Sequence, residues 1–547
     1  MSESSKKQNF LHGAALLAIA TAVVKLIGAL YKLPLNMAIG AEGYAYFTTA
    51  YDIYSVLLMI STAGLPVAMS RMISQASALG HYKQVRRIYS TSRAIFLGLG
   101  IFSTLLMTVG CKWLADALNQ PDAWTAILCL APCSLLMGLL STYRGFFQGQ
   151  GNMRPTSNSQ MLEAVFKLVV GLAAAFAVIR FTQNVALAAA GAILGVTVSC
   201  LVSSLYLRHQ LAPAYRELPQ TGETVQSYKS TAKGLLAIAV PITIGSAGLQ
   251  LLTVVETGLY MDRLVYLIET NQYMGQMVTA EVDAQKAATI LKGIYNMAQT
   301  IFNMPCAFII PITVSVIPAI TANLTLQNNR GVRATEESAA RITGLLSLPC
   351  SVGLFLLGGP VMSLLGGYTG QQLVLGGQLM ALLGIGIFLY AIIQYTNALL
   401  QSHGYAHVPV VNMLVCGVMK LLIVYLLVGN PAIGILGAPI GAALCYLAIA
   451  VLNLIAIAKL VPQKPALLKN LLRPVLPAAI MGIVVYGAYR ALQHLLGADG
   501  SRVLLCGVPV AVGVVVYFTA AVLCKSITRE DCQLLPKGEK IAKLLHL

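Results

Sequence analysis

The chain has 547 residues, of which 57% are hydrophobic and only 10% charged, with a mean hydropathy of +0.76. A soluble domain carries about 25% charged residues, so this composition excludes a soluble globular protein. The net charge of +17 comes from basic residues spread through short segments between apolar runs, which disfavours nucleic acid as a partner.

Fourteen apolar runs predict an all-α polytopic membrane protein, because about 20 apolar residues in a helix span a bilayer. Helices 1 to 6 fall near residues 10–33, 44–71, 94–117, 123–148, 156–180 and 185–208, before a polar loop at 209–232. Helices 7 to 12 fall near 234–262, 290–322, 340–366, 372–401, 407–429 and 434–459, and helices 13 and 14 near 473–496 and 502–525. A basic tail follows. The first run is not read as a cleavable signal, since no small-residue site follows it and Lys25 interrupts it. Pro305, Pro311 and Pro318 predict kinks in helix 8, which bundle neighbours can tolerate.

Lysine and arginine give the expected orientation. With the N-terminus in the cytoplasm, Lys83, Arg86, Arg87, Arg208, Arg216, Arg330, Arg333 and the basic tail fall inside, while Glu42, Asp116, Asp122, Glu269, Glu281 and Asp283 fall outside. Both termini are then cytoplasmic in a multi-pass protein of the cell membrane. Trp113 and Trp124 flank an outer loop at interfacial depth.

The chain also repeats itself. At a constant offset of 253 residues Gln148 matches Gln401, Gly151 matches Gly404 and Lys167 matches Lys420; at 252, Pro66 falls on Pro318. An even number of helices separates the copies, so they cross the membrane in the same sense, as parallel repeats about an axis along the membrane normal. The expected organisation is an N-terminal lobe at 1–215, a cytoplasmic linker at 216–232, a C-terminal lobe at 233–465, and helices 13 and 14 with the tail at 466–547. Two six-helix lobes would face a central cavity.

Charged residues inside the spans are the candidates for function. Lys25, Lys167 and Lys420 each lie about halfway along an apolar run, where a cation costs about 2.5–3.5 kcal/mol and usually faces a bundle interior. Lys25 cannot snorkel to either surface; it either faces the cavity or makes an interhelical ion pair. Lys167 follows Glu163 by four residues and either meets substrate or is neutralised by that acid. Lys420 has Cys416 where the first copy has an acid, and Lys32, near a helix end, can snorkel. Arg71 and Arg144 lie at cytoplasmic helix ends, where topology and loop anchoring compete with substrate binding. Glu256 is a candidate ion or proton site, and Asn412 a candidate cation ligand, although Cys416 one turn on suits sodium poorly. Coupling to a monovalent cation or to the membrane potential remains open.

Other chemistry finds no support. The eleven cysteines include no C-x-x-C pair and suggest neither disulfides nor a metal site. His403 and His407 form at best a weak pair. No nucleotide-binding loop appears, and no soluble segment is large enough for separate catalysis, so neither enzyme activity nor a cofactor is expected.

The segments "GAEGYAYF", "STAGLPVAMSRMIS" with "ALGHYKQ", and "RGFFQGQGNMRPTSNSQ" followed by Glu163 resemble the polysaccharide-export and lipid II flippase branch of the multidrug/oligosaccharidyl-lipid/polysaccharide exporter superfamily. Within it the chain is similar to the Gram-positive group of MurJ-type flippases and stage V sporulation protein B, over essentially its whole length. The resemblance implies a flippase for an undecaprenyl-pyrophosphate-linked sugar, lipid II foremost, working by alternating access. It implies Lys25, Lys32, Lys167 and Lys420 at the headgroup, a groove at helices 13 and 14 for the lipid tail, and partners among membrane lipids and cell-wall synthesis proteins. Lys25 and Lys167 stand where the family suggests arginine, keeping the charge without the bidentate fork. Three other readings stay open: another wall, capsule or spore-cortex precursor as cargo, a multidrug or cation antiporter on the same architecture, and a non-transporting scaffold for wall assembly.

Overall fold

The computed structural model describes residues 3–62, 64–219, 225–273, 283–463, 465–497 and 500–526, without the side chains of some helical residues, Lys25 among them. Among these residues there is helix and no strand. The first helix, α1 (Glu3–Thr62), has 60 residues. At 1.5 Å per residue it would be about 90 Å long, three times the hydrocarbon thickness. Gly40, with φ 67° and ψ −178°, breaks it into two spans. That conformation is open essentially only to glycine, so a single residue does the work of the loop expected between helices 1 and 2.

The second span is broken again at Gly64, and α2 (Leu65–Ala78) restarts with proline in its first turn. There follow α3 (Tyr82–Val109), α4 (Cys111–Asp116), α5 (Trp124–Gly149), α6 (Arg154–Thr182), α7 (Val185–Arg216), α8 (Tyr228–Glu269) and α9 (Ala284–Thr325). The remainder is α10 (Asn329–Leu356), α11 (Gly358–Gly366), α12 (Gly370–Ser402), α13 (His407–Val428), α14 (Gly437–Leu460), α15 (Leu467–Leu472), α16 (Val475–Leu496) and α17 (Arg502–Leu523). The helices are compatible with the fourteen expected spans, and 11 helical segments among the described residues are long and apolar enough to cross a membrane. α9 is helical through Pro305, Pro311 and Pro318, the prolines expected to kink helix 8.

The chain forms two compact units, Met1–Val265 with Asp283–Gly293, and Tyr266–Val282 with Ile294–Leu547. The division does not follow the expected linker at 216–232, since most of α8 and the start of α9 belong to the first unit. Close backbone approaches account for this. A Cβ on Gly64 would lie 2.1 Å from the carbonyl oxygen of Ala239 on α8, and one on Gly293 would lie 1.8 Å from that of Ala41. Elsewhere in this unit α6 packs along α7, with a Cβ on Gly195 only 2.3 Å from the Gly171 backbone. Small residues at such crossings let membrane helices gain packing that lipid cannot supply.

In the second unit α10 packs on α12, α12 on α14, α13 on α14 and α16 on α17. The repeat is visible in the backbone. After α5, the amides of Gln150, Gly151 and Asn152 donate to the carbonyls of Phe146, Gln148 and Phe147; after α12, those of His403, Gly404 and Tyr405 donate to Leu399, Gln401 and Leu400. Each pair is 253 residues apart, and Gly151 and Gly404 both have positive φ, 76° and 86°. The match of Pro66 with Pro318 is not reproduced: α2 breaks just before Pro66, whereas α9 is unbroken, and the turns closing the two helices at Gly80 and Gln327 stand at a different offset.

Candidate functional site

The charged residues that make up the candidate site of the first unit lie on α1, α5, α6, α8 and the start of α9. Lys167 on α6 is half-buried and donates to the Tyr51 hydroxyl at 2.8 Å. Its ammonium lies 4.8 Å from the Tyr51 ring centroid and 5.6 Å from that of Tyr31, within the range in which a ring face attracts a cation. Tyr31 is held in turn, because its hydroxyl donates to the Ala192 carbonyl at 3.0 Å. Gly171 makes that contact possible, since a Cβ there would stand 2.7 Å from the Tyr31 hydroxyl.

The sequence leaves two readings of Lys167; in the structure Glu163 makes no hydrogen bond to it and acts on it only at longer range. Glu163 accepts from Arg144 at 2.8 Å, and the Arg144 Nε bonds Ser159 at 3.0 Å. Arg144 comes from the end of α5 and reaches the facing turn of α6, which leaves Lys167 to the tyrosines. In the second unit the positions 253 residues on are Asn397 and Cys416, and the ion pair gives way to neutral groups. Asn453 donates to Asn397 at 2.8 Å and to Thr396 at 3.0 Å, and accepts from Asn412 at 2.9 Å. Asn412 is thus a member of an amide network.

Two charged residues of this site are absent from the candidates read in the sequence. Lys292 on α9 is completely buried, and its ammonium donates to the Thr49 hydroxyl, which also contacts Gln120. Asp52 on α1 lies within electrostatic reach of Lys292, Lys32 and Glu256. Lys32 in turn lies within reach of Lys167. Asp52 had a signal, as an acid inside an apolar run; Lys292 lay too near a predicted helix end to stand out. The site is therefore mixed. Lys32, Lys167 and Lys292 stand against Asp52 and the buried Glu256, with Glu163 occupied by Arg144.

Other candidates lie elsewhere. Lys25 is on α1, but its side chain falls outside the described residues. Arg71 is exposed on α2. Lys420 is half-buried on α13, in the second unit. That unit also contains an almost wholly apolar cavity of about 590 Å³, walled by α9, α10, α11, α16 and α17, with Met304, Leu345, Pro349, Val485, Tyr517 and Phe518 among its residues.

Helices of membrane-spanning length, an internal parallel repeat and lysines seated on a span's interior face define a polytopic membrane protein of the exporter type. Its fold is that of two solved structures: lipid II flippase MurJ in an inward closed conformation, with TM-score 0.67, 13% identity and coverage of 93% of this chain and 99% of that one, and an inward-facing multidrug resistance MATE family transporter, with TM-score 0.61, 16% identity and coverage of 80% and 98%. The model of the polysaccharide biosynthesis protein family matches residues 10–324, and the chain belongs to that family, in the lipid II flippase branch of the superfamily. Among curated relatives of Bacillus subtilis (strain 168), the uncharacterized membrane protein YabM is 26% identical over 99% of this chain and 97% of its own. Lipid II flippase MurJ is 25% identical over 89% of each, and stage V sporulation protein B 24% identical over 83% and 85%.

Proposed function

We propose that this protein is a flippase that moves an undecaprenyl-pyrophosphate-linked sugar, lipid II in the first instance, from the inner to the outer leaflet by alternating access. The observation that carries the reading is the set of lysines, Lys32, Lys167 and Lys292, held inside membrane helices, with Asp52 within reach of Lys32 and Lys292 and Lys167 within reach of Lys32. Unpaired cations there are costly to keep. Asp52 acts as the counter-ion of Lys32 and Lys292 while the site is empty. A pyrophosphate, with about two negative charges, replaces Asp52 at the ammonium groups through charge-assisted hydrogen bonds. When the site reopens to water on the other side, Asp52 competes for the lysines and favours release. The polyprenyl tail is accommodated in lipid or in the apolar cavity beside α16 and α17. No step needs a bond made or broken in the cargo, so the chain works as a transporter and not as an enzyme.

Complementation of a bacterium depleted of its lipid II flippase tests this reading. Wild-type protein is expected to restore growth, and Lys25→Ala and Lys167→Ala to fail at equal membrane abundance. Rescue by both variants would remove the role of the lysines. Failure of well-inserted wild-type protein would exclude lipid II and direct the reading to another wall, capsule or spore-cortex precursor.

A further inference from the structure

The second unit holds a buried carboxyl–imidazole pair that the headgroup site does not use. Glu336 on α10 is completely buried, and its Oε1 lies 2.7 Å from Nε2 of His403, whose side chain is 5% exposed. His403 caps the C-terminus of α12. The other carboxylate oxygen, Oε2, is buried without a hydrogen-bond partner. His407, the neighbour that the sequence offered to His403, is exposed.

Burial makes the proton count of this pair matter. With a neutral imidazole and an ionised carboxylate the site carries an uncompensated negative charge, which costs several kcal/mol away from water. With one more proton, on the imidazole or the carboxyl, it is balanced. His403 stands where the last carbonyls of α12 carry partial negative charge. The groups around it do not replace that proton. Tyr395 on α12 donates to the Glu336 backbone carbonyl at 2.7 Å. Tyr405 in the turn, Cys416 on α13 and Cys445 on α14 share the surrounding apolar core. The charged residues of the next turns of α10 bond elsewhere: Arg333 to Glu337 at 2.8 Å, Glu337 also to the Ala466 amide at 3.1 Å, and Arg341 to Asn470 of α15 at 3.0 Å.

The geometry points to Glu336 and His403 as a proton-binding site of the second unit, filled when α10 and α12 are packed as seen here and emptied when that contact loosens. α10 also forms a wall of the apolar cavity through Leu345 and Pro349, so the proton is linked to a surface that accommodates a lipid tail. Resting on the flippase reading, this makes the proton the coupling ion of transport.

Purified protein in nanodiscs, labelled with ¹⁵N at histidine, tests the site without any cargo. The signal missing from His403→Gln is expected to change protonation state as the pH is varied. Glu336→Gln, which keeps the side-chain shape, is expected to move that change by about one pH unit or more. A His403 ring that keeps one state throughout, or titrates identically in Glu336→Gln, overturns the proposal. In proteoliposomes supplied with a lipid-linked sugar, a proton gradient is expected to stimulate wild-type transport severalfold and neither variant, with transport at equal pH retained. Unchanged stimulation in both variants overturns the coupling. A titrating His403 in a protein that moves no such lipid overturns the flippase reading and leaves the proton site standing.

Discussion

Lys167 is kept inside a membrane helix by a phenol and two ring faces, with the acid one turn before it bonded elsewhere. That arrangement holds the ammonium in place and leaves its charge available to an anion. Asp52 plays the complementary part, and Asp52→Asn separates the two effects. The variant is expected to be less stable when empty, because Lys32 and Lys292 lose a counter-ion, and to hold an anionic lipid more tightly while releasing it more slowly. Melting of the purified protein with and without a pyrophosphate lipid measures both; equal melting shifts in wild type and variant would count against the exchange. Arg144→Ala leaves Glu163 without its charged partner at a partly buried position. A loss of about 1.5–3 kcal/mol is expected, visible as a lower melting temperature, and the Arg144→Ala/Glu163→Gln double variant should recover part of it. Lys167 was legible in the sequence as a cation where apolar residues were expected. Its partner was not, because four-residue spacing allows the Glu163 contact without requiring it, and Arg144 arrives from another helix. Lys292 was hidden for a similar reason: nothing local shows that the first turns of α9 are buried against Thr49.

At the scale of elements, hydropathy locates the spans and glycine decides how they bend and touch. The expected spans are compatible with the helices described, yet the breaks at Gly40 and Gly64 could not be read from apolar content. Whether a proline kinks a membrane helix depends on neighbours that satisfy the freed carbonyls. The turn after α5 and its copy after α12 were legible, because glycine and glutamine recur at one offset and the same backbone hydrogen bonds follow. The α6–α7 crossing is the most exacting contact of the first unit. Gly195→Leu has no room against Gly171 and would displace Tyr31 and Lys167 with α6. A destabilisation of at least about 1–3 kcal/mol is expected, read as loss of monodisperse protein in detergent. A well-behaved Gly195→Leu protein with a normal melting temperature would show that the crossing is looser than described.

At the scale of the whole molecule, each repeat copy has kept its turn and changed its chemistry. The first unit carries lysines, Asp52 and the Arg144–Glu163 pair; the second carries amides, the Glu336–His403 pair and an apolar cavity. Composition and the family motifs were enough to give the class of protein, while the extent of the compact units depended on backbone approaches that no sequence pattern reports. The most direct measurement of the central claim is transbilayer movement in proteoliposomes of two lipids with the same polyprenyl tail and sugar, one with a pyrophosphate linkage and one with a neutral linkage. Wild-type protein is predicted to move the pyrophosphate lipid alone, and Lys292→Gln to move it about tenfold more slowly. Equal movement of the two lipids, or no movement beyond that in protein-free liposomes, would contradict the account.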